Sequence, residues 1–380
     1  MVQKLPASGP LAPLLEQIGC DPVGVRIMAK KAQTERFIIK NLSCAAANIL
    51  KQDALSIGAE LAVPAGVVNC SLEKIDAVLM ATPAQLERLV KKESIQPFGL
   101  KKVAEGLRAF LSHPVHPLKI MGVLNLNKDS FNAASRVGFD DVLKRAEAMI
   151  EAGAQMLDIG AVSSRPGSDP VSAQEELARL KPAIDAFYAA KLHEKAVLSL
   201  DSYEPIALEY ALDRGFSFVN DITGGRDDRV VALAAKYNAT LCIMHMQGDP
   251  KTMQLHPRYE DVVAEVDAFF AERIIKAQAA GVKNLALDVG IGFGKTLEHN
   301  LKLINAHGHF LRHGLPMLIG ASRKSMIDAI TPAAVADRLP GTLAVHLKAV
   351  ENGASIVRCH DVAEHAQALR VYRALLNQQP

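Results

Sequence analysis

From residue 119 onward the chain repeats one pattern: a short apolar run, a polar residue or two, then an amphipathic stretch of helical period. The apolar runs are KIMGVLN (119–125), QMLDIG (155–160), AVLSLD (196–201), FSFVND (216–221), TLCIMH (240–245), NLALDVG (284–290), PMLIGAS (316–322) and ASIVRCH (354–360). The helical stretches are DDVLKRAEAMIEAG, SAQEELARLKPAIDAF, EPIALEYALDRG, RVVALAAKY, YEDVVAEVDAFFAERIIKAQAAG, LEHNLKLINAH, TLAVHLKAVENG and VAEHAQALRVYRALL. Several of them close on a glycine in the capping position. Eight strand–helix units in about 260 residues match the size and count of a TIM (β/α)8 barrel. A doubly wound sheet would carry a glycine-rich first turn, which KIMGVLNLNKDSF lacks. The pattern predicts an α/β protein built on a barrel.

Upstream, SHPVHP at 112–117 reads as a proline-punctuated linker. It divides the chain into residues 1–115, a small α+β domain, and residues 116–380, the barrel. Residues 20–111 mix β-like runs (RFIIKNL, AELAVPAGVV, AVLMA) with helical stretches such as TPAQLERLV, and their amphipathic spacing builds a core rather than a site. The net charge of +2 shows no commitment to nucleic acid or membrane, and the lack of tryptophan with 5% aromatics argues against a base-stacking surface. The start, MVQKLPASGPLAPLLEQIG, has prolines where a signal peptide needs an apolar core, and no run of about 18 uncharged apolar residues suggests a membrane span. Cys20, Cys44, Cys70, Cys242 and Cys359 are dispersed with no CxxC pair, which predicts reduced thiols and a cytoplasmic location.

In a barrel, chemistry sits at the C-terminal ends of the strands. Here nearly every strand ends in a polar group: Asn125, Asp158, Asp201, Asn220 with Asp221, His245, Asp288, Ser322 with Arg323 and Lys324, and Arg358 with His360. Any one of these could simply cap the next helix. Their repetition around a ring points to one binding mouth. Asp201, Asn220 and Asp288 suit the donor-rich edge of an amino-heterocycle, and the cations of the last two strands suit phosphate. His307, His309 and His313 do not share a helical face, so no zinc site is expected in INAHGHFLRH. GIGFGKT (290–296) looks like a phosphate loop. A Walker A motif would need glycine where Val289 stands, and a Rossmann turn would need glycine where Lys295 stands. The stretch is read instead as the loop behind Asp288, with glycines that let backbone approach the ligand and Lys295 merely opening the next helix.

The motifs IMGVLN…DSF, LDIGAVSSRPGS, SLDSY, VNDITGG, IMHM, DVGIGFGK, GASRKS and VRCHD occur in this order over residues 119–375. In this the chain resembles dihydropteroate synthase, the folate-pathway enzyme that joins 4-aminobenzoate to a dihydropterin diphosphate. The resemblance implies a pterin pocket of Asp201, Asn220, Ile222, Met244, Asp288, Gly292, Phe293, Lys324 and Arg358, with Arg358 flat over the ring. It implies a diphosphate site of Asn125, Arg358 and His360, with Asn125 also contacting Mg²⁺. The aminobenzoate pocket would comprise Phe293, Lys324 and Ser325, closed by Ser164, Arg165 and Pro166. Asp129, Lys324, Arg358 and His360 would serve catalysis. Small-molecule substrates, a place among sulfonamide targets and a homodimer complete the family expectation, although the C-terminal helix could equally be the eighth barrel helix.

The chain departs from the family chiefly on its first loop. The usual N-x-T-P-D-S-F-S-D-G-G reads NLNKDSFNAAS here, so Lys128 replaces proline, and Ala133, Ala134 and Ser135 replace Asp-Gly-Gly. Asp129 is then the remaining carboxylate. Val162 stands where glutamate is common, Ser164 where threonine is, and Val289 where proline follows the aspartate. The alternatives are a pterin-dependent methyltransferase, which has no diphosphate to hold, and a non-catalytic pterin-binding protein with a degenerate loop. The resemblance is silent on the N-terminal domain.

Overall fold

The computed structural model describes all residues except 1, 3, 4, 6–8, 127–136, 163–170, 250, 251 and 378–380. It divides into two compact units, Met1–His113 with Tyr372–Pro380, and Pro114–Val371.

The first unit runs α1 (Ala12–Gln17), α2 (Pro22–Ala29), β1 (Glu35–Ser43), α3 (Cys44–Ser56), β2 (Glu60–Ala62), β3 (Lys74–Ala81), α4 (Pro83–Glu93) and α5 (Leu100–Arg108). The strands form one antiparallel sheet in the order β1-β3-β2. Alternation on β3 turns Ile75, Ala77, Leu79 and Ala81 inward and Lys74, Asp76 and Val78 outward. The inward row packs in one core with Leu50, Leu86, Leu89 and Leu100 of the helices. The TPAQ segment starts α4 with a capping box, Thr82 and Gln85 each bonding the other's backbone. One expectation is corrected. Cys44 and Cys70 are joined by a disulfide, their Cα atoms 5.5 Å apart and 26 residues apart in sequence. Only folding of the loop before β3 against the start of α3 brings them together. Cys20, Cys242 and Cys359 are free.

The second unit runs β4 (Lys119–Asn125), α6 (Val137–Ala152), β5 (Met156–Gly160), α7 (Ala173–Ala189), β6 (Val197–Asp201), α8 (Pro205–Leu212), β7 (Phe218–Asp221), α9 (Asp228–Lys236) and β8 (Thr240–Met244). It continues with α10 (Val262–Ala279), β9 (Asn284–Asp288), α11 (Leu297–Asn305), β10 (Met317–Ile319), α12 (Ser325–Ile330), α13 (Leu339–Glu351), β11 (Ile356–Cys359) and α14 (Val362–Asn377). The strands close into a parallel barrel in the order β10-β11-β4-β5-β6-β7-β8-β9, the TIM barrel expected. Each expected run holds one strand. Glycines 153, 215, 281 and 353 follow their helices at positive φ, a conformation that leaves the helix without a Cβ clash. The short α12, directly after Lys324, is an addition to the eight-unit pattern.

The strands read as near-continuous apolar runs because both their faces are covered. Outward residues such as Leu157, Leu198, Val219 and Leu241 join Ile184, Phe187, Leu208 and Phe270 of the helices in the main core. Inward residues Met121, Met156, Phe218, Cys242, Ala286, Leu318 and Ile356 plug the barrel. Each large plug side chain contributes about 1.5–3 kcal/mol by leaving water. Val362, Ala366 and Leu369 are buried in the main core, so α14 is the eighth barrel helix. No helix among the described residues is long and apolar enough to cross a membrane.

Candidate active site

Side chains on a strand return to the same face every second residue. Two places beyond the plug stand Val123, Asp158, Ser199, Asn220, Met244, Asp288, Gly320 and Arg358, so a polar layer lies directly on the apolar one. Two places further stand Asn125, Gly160, Asp201, Ile222, Ser322 and His360. Above them opens a cavity of about 760 Å³, lined by Asn125, Asp201, Phe293, Ser322, Lys324, Ser325, Arg358 and His360 among others. The cavity is therefore where the barrel rule puts it, at the C-terminal ends of the strands.

Arg358 organises the polar layer. Its Nε donates to Asp158 Oδ2 at 2.6 Å and one terminal nitrogen donates to Asp201 Oδ2 at 2.7 Å. Asp158, fully buried, also accepts from Asn220 Nδ2 at 3.0 Å and from the Ser199 hydroxyl, its neighbour across the β5–β6 register. One guanidinium thus serves two carboxylates. Burial of the surplus negative charge raises Asp201 to about 7, against the pull of Arg358. Burial disfavours the charge on Arg358, but Asp158 and Asp201 together raise its pKa above the ordinary value. Asp158 was legible as a strand end but was not assigned to the site. The period of two from Met156 would have found it, since that places it one layer above the plug and below the cavity.

Across the mouth, burial raises the pKa of Asp288, which accepts from Gly290 N–H at 2.8 Å. Burial also lowers Lys324 to about 8, with Asp288 pulling the other way. Lys324 Nζ donates to the Ile291 carbonyl and sits 4.6 Å from the centre of the Phe293 ring. Ile222 and Met244 form an apolar cluster with Met246, Met253 and Phe293, of which Met253 and Phe293 reach the cavity wall. Gly292 lines the cavity too, and a Cβ there would meet Lys324 Cδ at 3.3 Å.

Two readings of GIGFGKT are corrected. Gly290, at φ +68°, leaves room for the His245 carbonyl rather than for a ligand, since an added Cβ would lie 1.9 Å from that oxygen. Lys295 does not open the next helix, because Thr296 caps α11. Lys295 is only 3% exposed and donates to His245 Nδ1 at 3.0 Å, the His245 carbonyl at 3.1 Å and the Phe293 carbonyl at 2.9 Å. All three ammonium hydrogens are used, which makes this side chain the rivet between the loops after β8 and β9. Burial lowers it to about 7, and burial with the Lys295 charge lowers His245 to about 3. Sequence spacing cannot show that a lysine turns inward. The spent acceptors of the neighbouring loop do.

On the remaining side, Ser322 Oγ lies 2.9 Å from His360 Nδ1, and Asn125 ends β4 exposed to the cavity. Asp129, Ser164, Arg165 and Pro166 lie outside the described residues, as do Lys128, Ala133, Ala134 and Ser135. Among the described residues no cluster of three or more His, Cys, Asp or Glu side chains could hold a metal. The mouth therefore brings together the Asp201 carboxylate, the Arg358 and Lys324 cations, the Asn125 amide and the Ser322–His360 hydroxyl–imidazole pair, while Asn220 and Asp288 are buried.

Comparison with known proteins agrees. The family model described as pterin binding enzyme matches residues 121–360. A Helicobacter pylori protein named bifunctional dihydropteroate synthase/dihydropteroate reductase is 39% identical over 362 residues, spanning 95% of each chain. Among solved structures, the Thermus thermophilus dihydropteroate synthase in complex with 4-aminobenzoate is 42% identical with a TM-score of 0.61, covering 68% of this chain and 95% of its own. The Yersinia pestis dihydropteroate synthase in a sulfonamide complex is 34% identical with a TM-score of 0.64, covering 70% of this chain and all of its own. The chain belongs to the pterin-binding enzymes, in the dihydropteroate synthase family of transferases.

Proposed function

We propose that the cavity binds a dihydropterin diphosphate with its ring against Asp201, Asn220 and Asp288 and its diphosphate at Asn125, Arg358 and His360. The enzyme is a dihydropteroate synthase: it condenses 6-hydroxymethyl-7,8-dihydropterin diphosphate with 4-aminobenzoate to 7,8-dihydropteroate and diphosphate, in folate biosynthesis. The observation that supports the assignment of roles is that Asp201, Lys324, Phe293, Asn125, Ser322 and His360 line one and the same cavity. Asp288 and Asp201 accept from the ring's amino edge, and Lys324 reaches its other edge. The apolar cluster of Met253 and Phe293 packs its face.

Diphosphate leaves first, taking the electron pair of the C–O bond and leaving a cation on the pterin methylene. Arg358 and His360 stabilise the departing charge, in a site where burial strengthens every such interaction. The amine of 4-aminobenzoate, held against Phe293, Lys324 and Ser325, then attacks the cation with its lone pair, and the surplus N–H proton leaves to water. Here positioning matters more than base catalysis. Asp129, Ser164, Arg165 and Pro166 belong to this reading as the groups that stabilise the cation and close over the aminobenzoate. Mg²⁺ keeps several waters and is held largely by substrate phosphates, so one amide oxygen from Asn125, which lines the cavity, would suffice on the protein side. When bound it would neutralise leaving-group charge. We also place the enzyme in the cytoplasm as a homodimer, following the family.

Diphosphate release from the pterin substrate, measured with and without 4-aminobenzoate, tests the assignment. Turnover dependent on both substrates and lost in His360→Ala is expected. Tight pterin binding without turnover would overturn it. A second reading concerns the product. Similarity to the H. pylori protein extends through the N-terminal unit, and that protein is also named a dihydropteroate reductase. Reduction of 7,8-dihydropteroate by the full chain with an added two-electron donor is the corresponding assay. A full chain that leaves dihydropteroate unreduced with every donor tried would remove this reading.

A further inference from the structure

Two buried histidines stand behind the cationic wall of the cavity and take no part in the reaction above. His346 on α13 and His365 on α14 are each 1% exposed. Ala321 N–H donates to His346 Nε2 at 3.0 Å, His346 Nδ1 lies 2.8 Å from His365 Nε2, and His365 Nδ1 lies 2.6 Å from the Asp361 carbonyl oxygen. These contacts fix every proton. An amide donor requires a bare Nε2, so neutral His346 carries its hydrogen on Nδ1 and donates it to His365 Nε2. His365 must then donate from Nδ1 to the Asp361 carbonyl. An extra proton on either ring would set donor against donor. Burial acts the same way, holding His346 well below the usual imidazole range and His365 below it.

The two ends of this wire are the loops that carry the cavity's charges. Ala321 begins the turn presenting Ser322, Arg323 and Lys324, and Asp361 directly follows His360. The same loops are tied by the Ser322–His360 contact and by Arg323, whose Nε donates to Asp361 Oδ2 at 3.0 Å. Arg323 has φ +55°, a left-handed conformation that is strained for a residue with a side chain. It is kept there from α13, where Thr342 Oγ1 accepts from Arg323 N–H at 3.0 Å, and by Arg338, which donates to the Arg323 carbonyl at 3.3 Å.

We propose that His346 and His365 are positioning residues for diphosphate departure: as a neutral pair of single tautomer they set the spacing between the Lys324 and His360 loops. Both groups can then engage one substrate molecule. The proposal rests on the reading of His360 as a diphosphate-binding group.

The test uses the full chain. His346→Leu with His365→Leu removes the wire while keeping apolar volume, and should lower kcat about tenfold or more. It should weaken binding of the diphosphate-bearing pterin several-fold more than that of the pterin lacking diphosphate, because the ring keeps Asp201, Asn220 and Asp288, on strands the wire does not touch. His346→Gln retains an acceptor and a donor and should recover kcat to within about threefold. Nitrogen-15 spectra of the wild-type rings should show both histidines as neutral Nδ1–H tautomers from about pH 5.5 to 8.5. This readout does not depend on any variant folding. Unchanged kcat in the leucine pair, equal loss of affinity for both pterins, or an Nε2–H tautomer would each overturn the proposal. His360→Ala, run in parallel, separates the two readings. If it keeps the preference for the diphosphate form, the diphosphate assignment itself fails. If it loses that preference while the leucine pair does not, only the positioning role fails.

Discussion

Asp158 shows how one buried side chain can decide the geometry of a site it need not touch. It holds Arg358, Asn220 and Ser199 at once, and Arg358 would otherwise share its charge with Asp201 alone. Breaking a buried pair by neutralising one partner typically costs about 3–5 kcal/mol. Asp158→Asn should therefore lower unfolding free energy by about that much, as measured in urea, and reduce kcat/KM about tenfold or more. A variant within about 0.5 kcal/mol of wild type would mean that Arg358 is adequately served by Asp201. Asp288→Asn tests the opposite wall. The amide presents a donor where the ring's amino edge needs an acceptor, so pterin binding by calorimetry should vanish while the fold persists. Near-normal affinity would remove Asp288 from the pocket. The strand-end position of Asp288 was readable from the sequence because it closes an apolar run in a recognisable motif. Lys295 was misread because its three acceptors come from loop backbone that no spacing reveals.

At the scale of elements, α4 carries a titrating group unrelated to catalysis. Glu93 is fully buried, and burial, then the neighbouring Asp53 charge, raises its pKa from the ordinary 4.5 to about 7. An acid whose pKa rises on folding favours the native state in its neutral form. Its contribution is complete below the unfolded pKa and is lost as pH rises through the folded one. Stability of the N-terminal unit should thus decline between roughly pH 4.5 and 7 and level off above that. Melting of the full chain, followed by a probe placed in that unit, should show this slope, and Glu93→Gln should flatten it. An unchanged slope in the variant would assign the titration to another group. Element positions themselves were largely readable: every barrel strand falls inside its expected run, because apolar period and helix caps are local properties. The short α12 was not, as six residues after Lys324 offer too little period to detect.

For the whole molecule, the buried residues of the barrel's main core run from Ile120 to Leu369 among the described residues. A chain beginning at Pro114 should accordingly fold and release diphosphate within about threefold of the full-length rate. Loss of more than about tenfold would give the N-terminal unit a part in the synthase reaction. What the sequence determined by itself was the order and type of elements, the barrel count and the ring of polar strand ends, all of which depend on spacings of a few residues. The tertiary structure alone decided which of those ends meet. Closure and strand register put Asp158 against Arg358, 200 residues apart, and α13 and α14 bring His346 to His365. Loop packing turned Lys295 inward, and the fold of the first unit joined Cys44 to Cys70. Each of these pairings depends on chain closure over long separations. Local periodicity carries no information about such contacts, and it is they that set the charges and distances of the site.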